Sequence, residues 1–155
     1  MPKKDSIHNT VKEALIKNGW EITDDPYVIS YGERFLFVDL GADGTDEGSS
    51  METRFIGAAY ENKRIAVEIK EFRGKSLMFD LEQAIGQYVL YRMLLGKVDP
   101  EREIYLAITD RVYNKIFSEP VAELAVKELP LRLIVVNLEK AEVNQWIIPK
   151  NTEKQ

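Results

Sequence analysis

A chain of 155 residues with 45% hydrophobic content has the size of one domain and enough apolar residues for a buried core. It has no cysteine and one histidine, His8, which excludes disulfides, thiolate zinc sites and multi-histidine centres, and no apolar run reaches the roughly 18 to 20 residues of a membrane span. A formal net charge of −5 argues against a protein that coats nucleic acid without specificity, because such binding rests on neutralising phosphates.

The opening Met-Pro-Lys-Lys lacks the apolar core of a signal peptide, so a cytoplasmic location is expected. From Ser6 to Asn18, Ile7, Val11, Ala14 and Leu15 recur at helical spacing, with Asp5 or Ser6 as the expected cap and Gly19 as the stop. Glu13 falls opposite that apolar stripe and should meet solvent. His8 sits at its edge, where a packed or capping role is favoured over a site role. Trp20-Glu-Ile-Thr opens an extended segment that Asp24-Asp25-Pro26 turns. Tyr27 to Ser30 and Phe35 to Leu40 read as hairpin strands around Tyr31-Gly32-Glu33.

After Gly41 the pattern collapses, and residues 41–53 are expected to form a mobile loop. Its acids Asp43, Asp46 and Glu47 resemble a calcium loop only superficially, because the remaining ligand positions are missing. Arg54 to Tyr60 and Arg64 to Lys70 are expected to pair as a hairpin across Glu61-Asn62-Lys63. Met78 to Leu95 is the strongest helix, with Asp80 and Gln83 as its candidate start box. Gln83, Gln87 and Tyr91 follow at four-residue steps and form one polar line, with Gly86 leaving room for a close approach. Glu103 to Thr109 and Leu131 to Leu138 read as buried strands, Arg111 to Phe117 and Glu119 to Leu129 as helices between them. Glu142 to Ile148 should close a sheet edge under Trp146, and residues 150–155 should be a frayed tail. The basic clusters Lys3-Lys4, Lys63-Arg64 and Arg73-Gly-Lys75 read first as solvated surface and second as phosphate contacts.

Two strands break their own pattern. Arg64-Ile-Ala-Val-Glu-Ile-Lys is written as a buried strand, yet Glu68 and Lys70 are charged and, at the two-residue period, point to one face about 7 Å apart. Upstream, the apolar run from Phe35 carries one acid, Asp39. Charges at the ends of buried strands are costly unless they are used. The order Asp39, gap, Glu68-x-Lys70 resembles the signature of the PD-(D/E)xK metal-dependent nucleases, with Val38 in place of the proline. Magnesium or manganese would take oxygen from Asp39, Glu68 and the Ile69 carbonyl. Lys70 would orient or help deprotonate the attacking water, and Gln83 would hold that water or a phosphate oxygen, with Gln87 and His8 as further candidates. The competing interpretation places Glu68 and Lys70 on a strand rim, with Asp39 and Lys70 in a structural salt bridge.

Ala14-Leu-Ile-Lys-Asn-Gly-Trp-Glu-Ile-Thr, Val38-Asp-Leu-Gly-Ala, Ile65-Ala-Val-Glu-Ile-Lys and Asp80-Leu-Glu-Gln-Ala-Ile-Gly-Gln-Tyr-Val-Leu-Tyr-Arg resemble the XisH family of fdxN-element excision controlling factors, known from cyanobacteria. The resemblance implies a restriction-endonuclease-like α/β fold over a single domain, an αβββαβ core with a mixed central sheet flanked by helices. It implies action on DNA in programmed excision of an element, with an XisI-like companion protein and a site-specific recombinase as partners, and it is compatible with a homodimer. A noncatalytic DNA- or partner-binding module that recruits the recombinase is the alternative, since a fold can outlive its activity.

Overall fold

Successive residues of strand β5 (Arg64–Ile69) are buried against different partners, and the fold is arranged around that alternation. In the computed structural model, which describes residues 4–44 and 63–148, Ile65 and Val67 join Ile7, Val11, Ala14 and Leu15 of helix α1 (Lys4–Lys17). Ala66 joins Leu81, Ala84 and Tyr88 of helix α2 (Leu77–Val98) on the opposite face. One sheet is therefore covered on both sides, which is why its central strands read as continuous apolar runs.

The other elements are β1 (Trp20–Asp24), β2 (Tyr27–Tyr31), β3 (Arg34–Val38), β4 (Leu40–Gly44), β6 (Arg102–Thr109), α3 (Asp110–Ile116), α4 (Pro120–Glu128), β7 (Leu133–Asn137) and β8 (Glu142–Ile147). The main sheet runs β1-β4-β5-β6-β7-β8. The pairs β5/β6 and β6/β7 are parallel and the rest antiparallel, giving a mixed α/β sheet. The strands β2 and β3 form a separate two-stranded sheet. At the β8 edge Trp146 packs on Trp20 and Tyr105, at ring centroid distances of 5.5 and 5.2 Å, as the expected cover. Glu13 is exposed as expected, and Gly19 leaves α1 at φ 96°, a conformation glycine adopts without strain. Among the described residues no helix is long and apolar enough to cross a membrane.

Several expectations are corrected. The run expected as one strand from Phe35 to Leu40 is two strands, broken at Asp39, because Val38 is buried in the α2 layer and Leu40 in the α1 layer. Residues 41–44, expected as the start of a mobile loop, belong to β4; residues 45–53 of that loop lie outside the described residues. Gly41 can be a strand residue here because its backbone passes close to β1: a Cβ would meet Asp24 Oδ1 and Tyr27 Cδ1 at 3.0 Å. Both edges of β5 over Arg64–Val67 are taken by β4 and β6, so β4 holds the ladder expected for Arg54–Tyr60, a segment outside the described residues. The expected tail also lies outside them. Helix α1 begins at Lys4, so Asp5 and Ser6 fall inside it rather than before it. Helix α2 is capped by Ser76, whose Oγ accepts from the Phe79 amide, while Asp80 turns back to accept from the Gly74 amide at 2.8 Å instead of forming a box with Gln83. A Cβ on Gly86 would meet nothing within 4 Å among the described residues, so no close approach occurs there.

Candidate functional site

Leu40 lies opposite Val67 in the β4/β5 ladder, and one further step in that register puts Asp39 opposite Glu68. The ladder is replaced there by side chains. The Ile69 amide donates to Asp39 Oδ2 at 2.8 Å, and the Asp39 amide donates to Glu68 Oε1 at 3.3 Å. The two acids thus hold each other's strands together and stand side by side, at the point where the chain crosses from the hairpin sheet into the main sheet.

Glu68 is 7% exposed. Burial, and then the neighbouring Asp39 carboxylate, push its carboxyl from the ordinary 4.5 up to about 8, and the Lys70 ammonium opposes this only in part. Lys70 Nζ lies 3.9 Å from Glu68 Oε2. That is the ion pair formed by Lys70 among the described residues; the structural bridge to Asp39 is not made. Tyr91 of α2 faces the same pair: burial, then the charges of Glu68 and Asp39, raise its hydroxyl to about 12. Its hydroxyl lies 3.5 Å from the Phe37 carbonyl, which ties α2 to β3 beside Asp39.

The acids open into a cleft of about 350 Å³ that Ile69 and the side chains of His8, Glu71 and Arg73 also line. His8 Nε2 is 2.8 Å from Asp25 Oδ1, and Lys12 Nζ is 2.6 Å from Asp25 Oδ2. Burial works against it, but the hydrogen bonds from Lys12 and His8 hold the Asp25 carboxyl below its ordinary value. Arg73 Nη1 is paired with Glu71 Oε1 at 3.0 Å.

Asp39 Oδ1 and Glu68 Oε2 remain outside the amide bonds just described, so the donor set is hard oxygen. Two adjacent carboxylates, one of them driven to hold its proton, suit a small divalent cation that accepts one or two carboxylates together with water and phosphate oxygen. The Ile69 carbonyl belongs to a residue that lines the same cleft. No group of three or more His, Cys, Asp or Glu is placed to hold a metal among the described residues; His8 lines the cleft with its ring nitrogen on Asp25.

The polar line of α2 splits along its length. Gln83 is exposed, Gln87 is half-buried with Oε1 buried and without a hydrogen-bond partner among the described residues, and Tyr91 is buried. Tyr91, not Gln83, is the member whose electrostatics register the acids. Sequence reasoning missed Asp25, taken as a turn residue, and Glu71, which carried no periodic signal. Arg73 was legible only as part of a basic cluster.

The XisH protein family model matches residues 1–144 of the chain. A crystal structure of an XisH family protein from Nostoc punctiforme PCC 73102 matches with TM-score 0.79 and 31% identity, covering 93% of this chain and 100% of that one. A crystal structure of an fdxN element excision controlling factor protein from Anabaena variabilis matches with TM-score 0.78 and 32% identity, covering 93% and 99%. No curated protein matches the chain.

Proposed function

The chain belongs to the XisH protein family, and on that premise we propose that it is an fdxN-type excision controlling factor acting on DNA as a metal-dependent endonuclease of the PD-(D/E)xK, restriction-endonuclease-like kind. The relative from Anabaena variabilis is an fdxN element excision controlling factor protein. The observation that supports catalysis is the Asp39–Glu68 pair, bridged through main-chain amides with Glu68 pushed to about 8. Such an arrangement is unfavourable for folding and favourable for a cation.

A bound magnesium or manganese ion would supply charge neutralisation on the scissile phosphate and a more acidic water. Asp39 and Glu68 would hold it, with Glu68 in its deprotonated form. Lys70, 3.9 Å from Glu68 Oε2, would orient a water and offset negative charge on the phosphate. Tyr91, buried in the α2 layer, feels the charge of both acids, and Arg73, which lines the cleft, would meet the phosphate backbone. The family resemblance implies an XisI-like companion and a site-specific recombinase as partners, and a chain of net charge −5, which gains little from nonspecific attraction to DNA, has use for them.

A second interpretation, a noncatalytic module that recruits the recombinase, is favoured by one observation: two carboxylates, without a third acid or histidine placed to join them among the described residues. Cleavage of linear, branched and single-stranded DNA in magnesium or manganese against chelator separates the two. The enzyme predicts cutting that Asp39→Asn abolishes and Lys70→Ala lowers by about 10² to 10⁴, while folding and partner binding persist. The module predicts no cutting and excision that survives Lys70→Ala.

A further inference from the structure

The β2/β3 hairpin buries only one of its faces. Ile29 and Val38 point into the α2 layer and Leu36 packs against it, whereas Phe35, Phe37 and Val28 on the other face are 65%, 57% and 45% exposed. The register sets Val28 beside Phe37 and Ser30 beside Phe35, so that outer face carries two rings and no carboxylate. Exposed aromatics in such a row are costly in water unless something covers them.

Two exposed rings with a cationic side chain lining the same groove match bases stacked on an aromatic platform, their phosphate on the cation. Phe35 and Phe37 are about 7 Å apart along the strand, about twice the 3.4 Å rise of a duplex strand, so each ring takes its own base only when the bases are unstacked. Arg34 at the hairpin tip is exposed and makes no ion pair among the described residues, which leaves its charge for a phosphate. It lines, with Glu33, Phe35 and Phe37, an open groove of about 810 Å³. The platform and the acids lie on one stretch of chain: Phe37 is two residues before Asp39, and its carbonyl accepts from the Tyr91 hydroxyl at 3.5 Å.

We propose that the outer face of the β2/β3 hairpin is a stacking platform for unpaired bases of a DNA strand, which it delivers to the Asp39/Glu68 cleft. The location of delivery rests on the endonuclease reading; the binding does not. The substrate is then DNA with a single-stranded segment at the cut, not intact duplex.

The test is fluorescence anisotropy of the full chain, in chelator, with a labelled 20-nucleotide thymidine strand and a 20-base-pair duplex. Single strand should bind at least tenfold more tightly than duplex. Phe35→Ala and Phe37→Ala should each weaken strand binding by about 5- to 150-fold, Phe35→Tyr should restore it, and Arg34→Gln should flatten its salt dependence. Both phenylalanines are exposed, so melting temperatures should stay unchanged. Equal affinity for the two probes, no binding of either, or alanine variants that bind like the parent would overturn the platform. So would sedimentation showing that Phe35→Ala dissociates an oligomer without changing DNA affinity, which would make the face a protein contact. Strand binding without any cleavage in metal would instead sink the endonuclease reading and leave the platform standing.

Discussion

Glu68→Gln should stabilise the metal-free protein at neutral pH, although it removes a buried side chain with two polar contacts. In the folded chain burial and the Asp39 carboxylate raise Glu68 from 4.5 to about 8, so at pH 7 the folded group still holds its proton while the unfolded one has lost it. The sign follows from linkage: the native state's tighter hold on the proton contributes fully below about pH 4.5, and the contribution is lost as pH rises towards 8. The interval from 4.5 to 7 amounts to about 3 kcal/mol at about 1.4 kcal/mol per pH unit. Glutamine keeps an acceptor for the Asp39 amide, now 3.3 Å from Oε1, and gives up the 3.9 Å ion contact to Lys70, so the net gain should be about 1 to 3 kcal/mol. For a domain of this size that raises the melting temperature by about 3 to 9 °C. Calorimetric melts in chelator at pH 5, 6, 7 and 8 should show the variant's advantage growing with pH. A variant no more stable than the parent at pH 7, or an advantage independent of pH, would refute the crowding of these two acids.

Magnesium should raise the parent's melting temperature, and titrations at pH 7 in buffers of different ionisation enthalpy should register release of about one proton per ion, because Glu68 enters the site protonated; Asp39→Asn should lose the ion-dependent shift. Lys70→Ala should keep that shift and lower cleavage by about 10² to 10⁴, and a cleavage rate within threefold of the parent would remove Lys70 from the mechanism. Tyr88→Phe should cost about 1 to 2 kcal/mol by chemical denaturation, since the Tyr88 hydroxyl accepts from the Arg132 amide and donates to the Pro130 carbonyl, each at 3.1 Å. Gly41→Ala should destabilise by about 1 to 3 kcal/mol, because the new methyl meets Tyr27 at 3.0 Å and that ring is held by Asp99 at 2.7 Å and lies under Arg102; an unchanged denaturation midpoint would mean that β1 and β4 can part.

Asp39 and Glu68 were legible because a charge inside an apolar strand breaks the rule that made the strand legible. What periodicity left out was the third dimension. Strand β4 could not be read because Gly41 is small for a reason lying 17 residues upstream, the side chain of Asp24 pressed against it. Tyr91 rather than Gln83 meets the acids because the packing of α2, set by Leu81, Ala84, Tyr88 and Leu95 in the core, decides which part of the polar line lies over the end of β5. The hairpin hid its message differently: Phe35, Leu36, Phe37 and Val38 are all apolar, so the sequence matched a buried strand, yet the sheet there has only two strands and covers one of their faces. The acids and the exposed rings share one physical content, residues kept where folding alone would replace them. Charges where burial disfavours them and rings where water disfavours them meet at Val38 and Asp39. One bend in the chain carries both, so whatever occupies the acids is positioned by the same few residues that hold the rings.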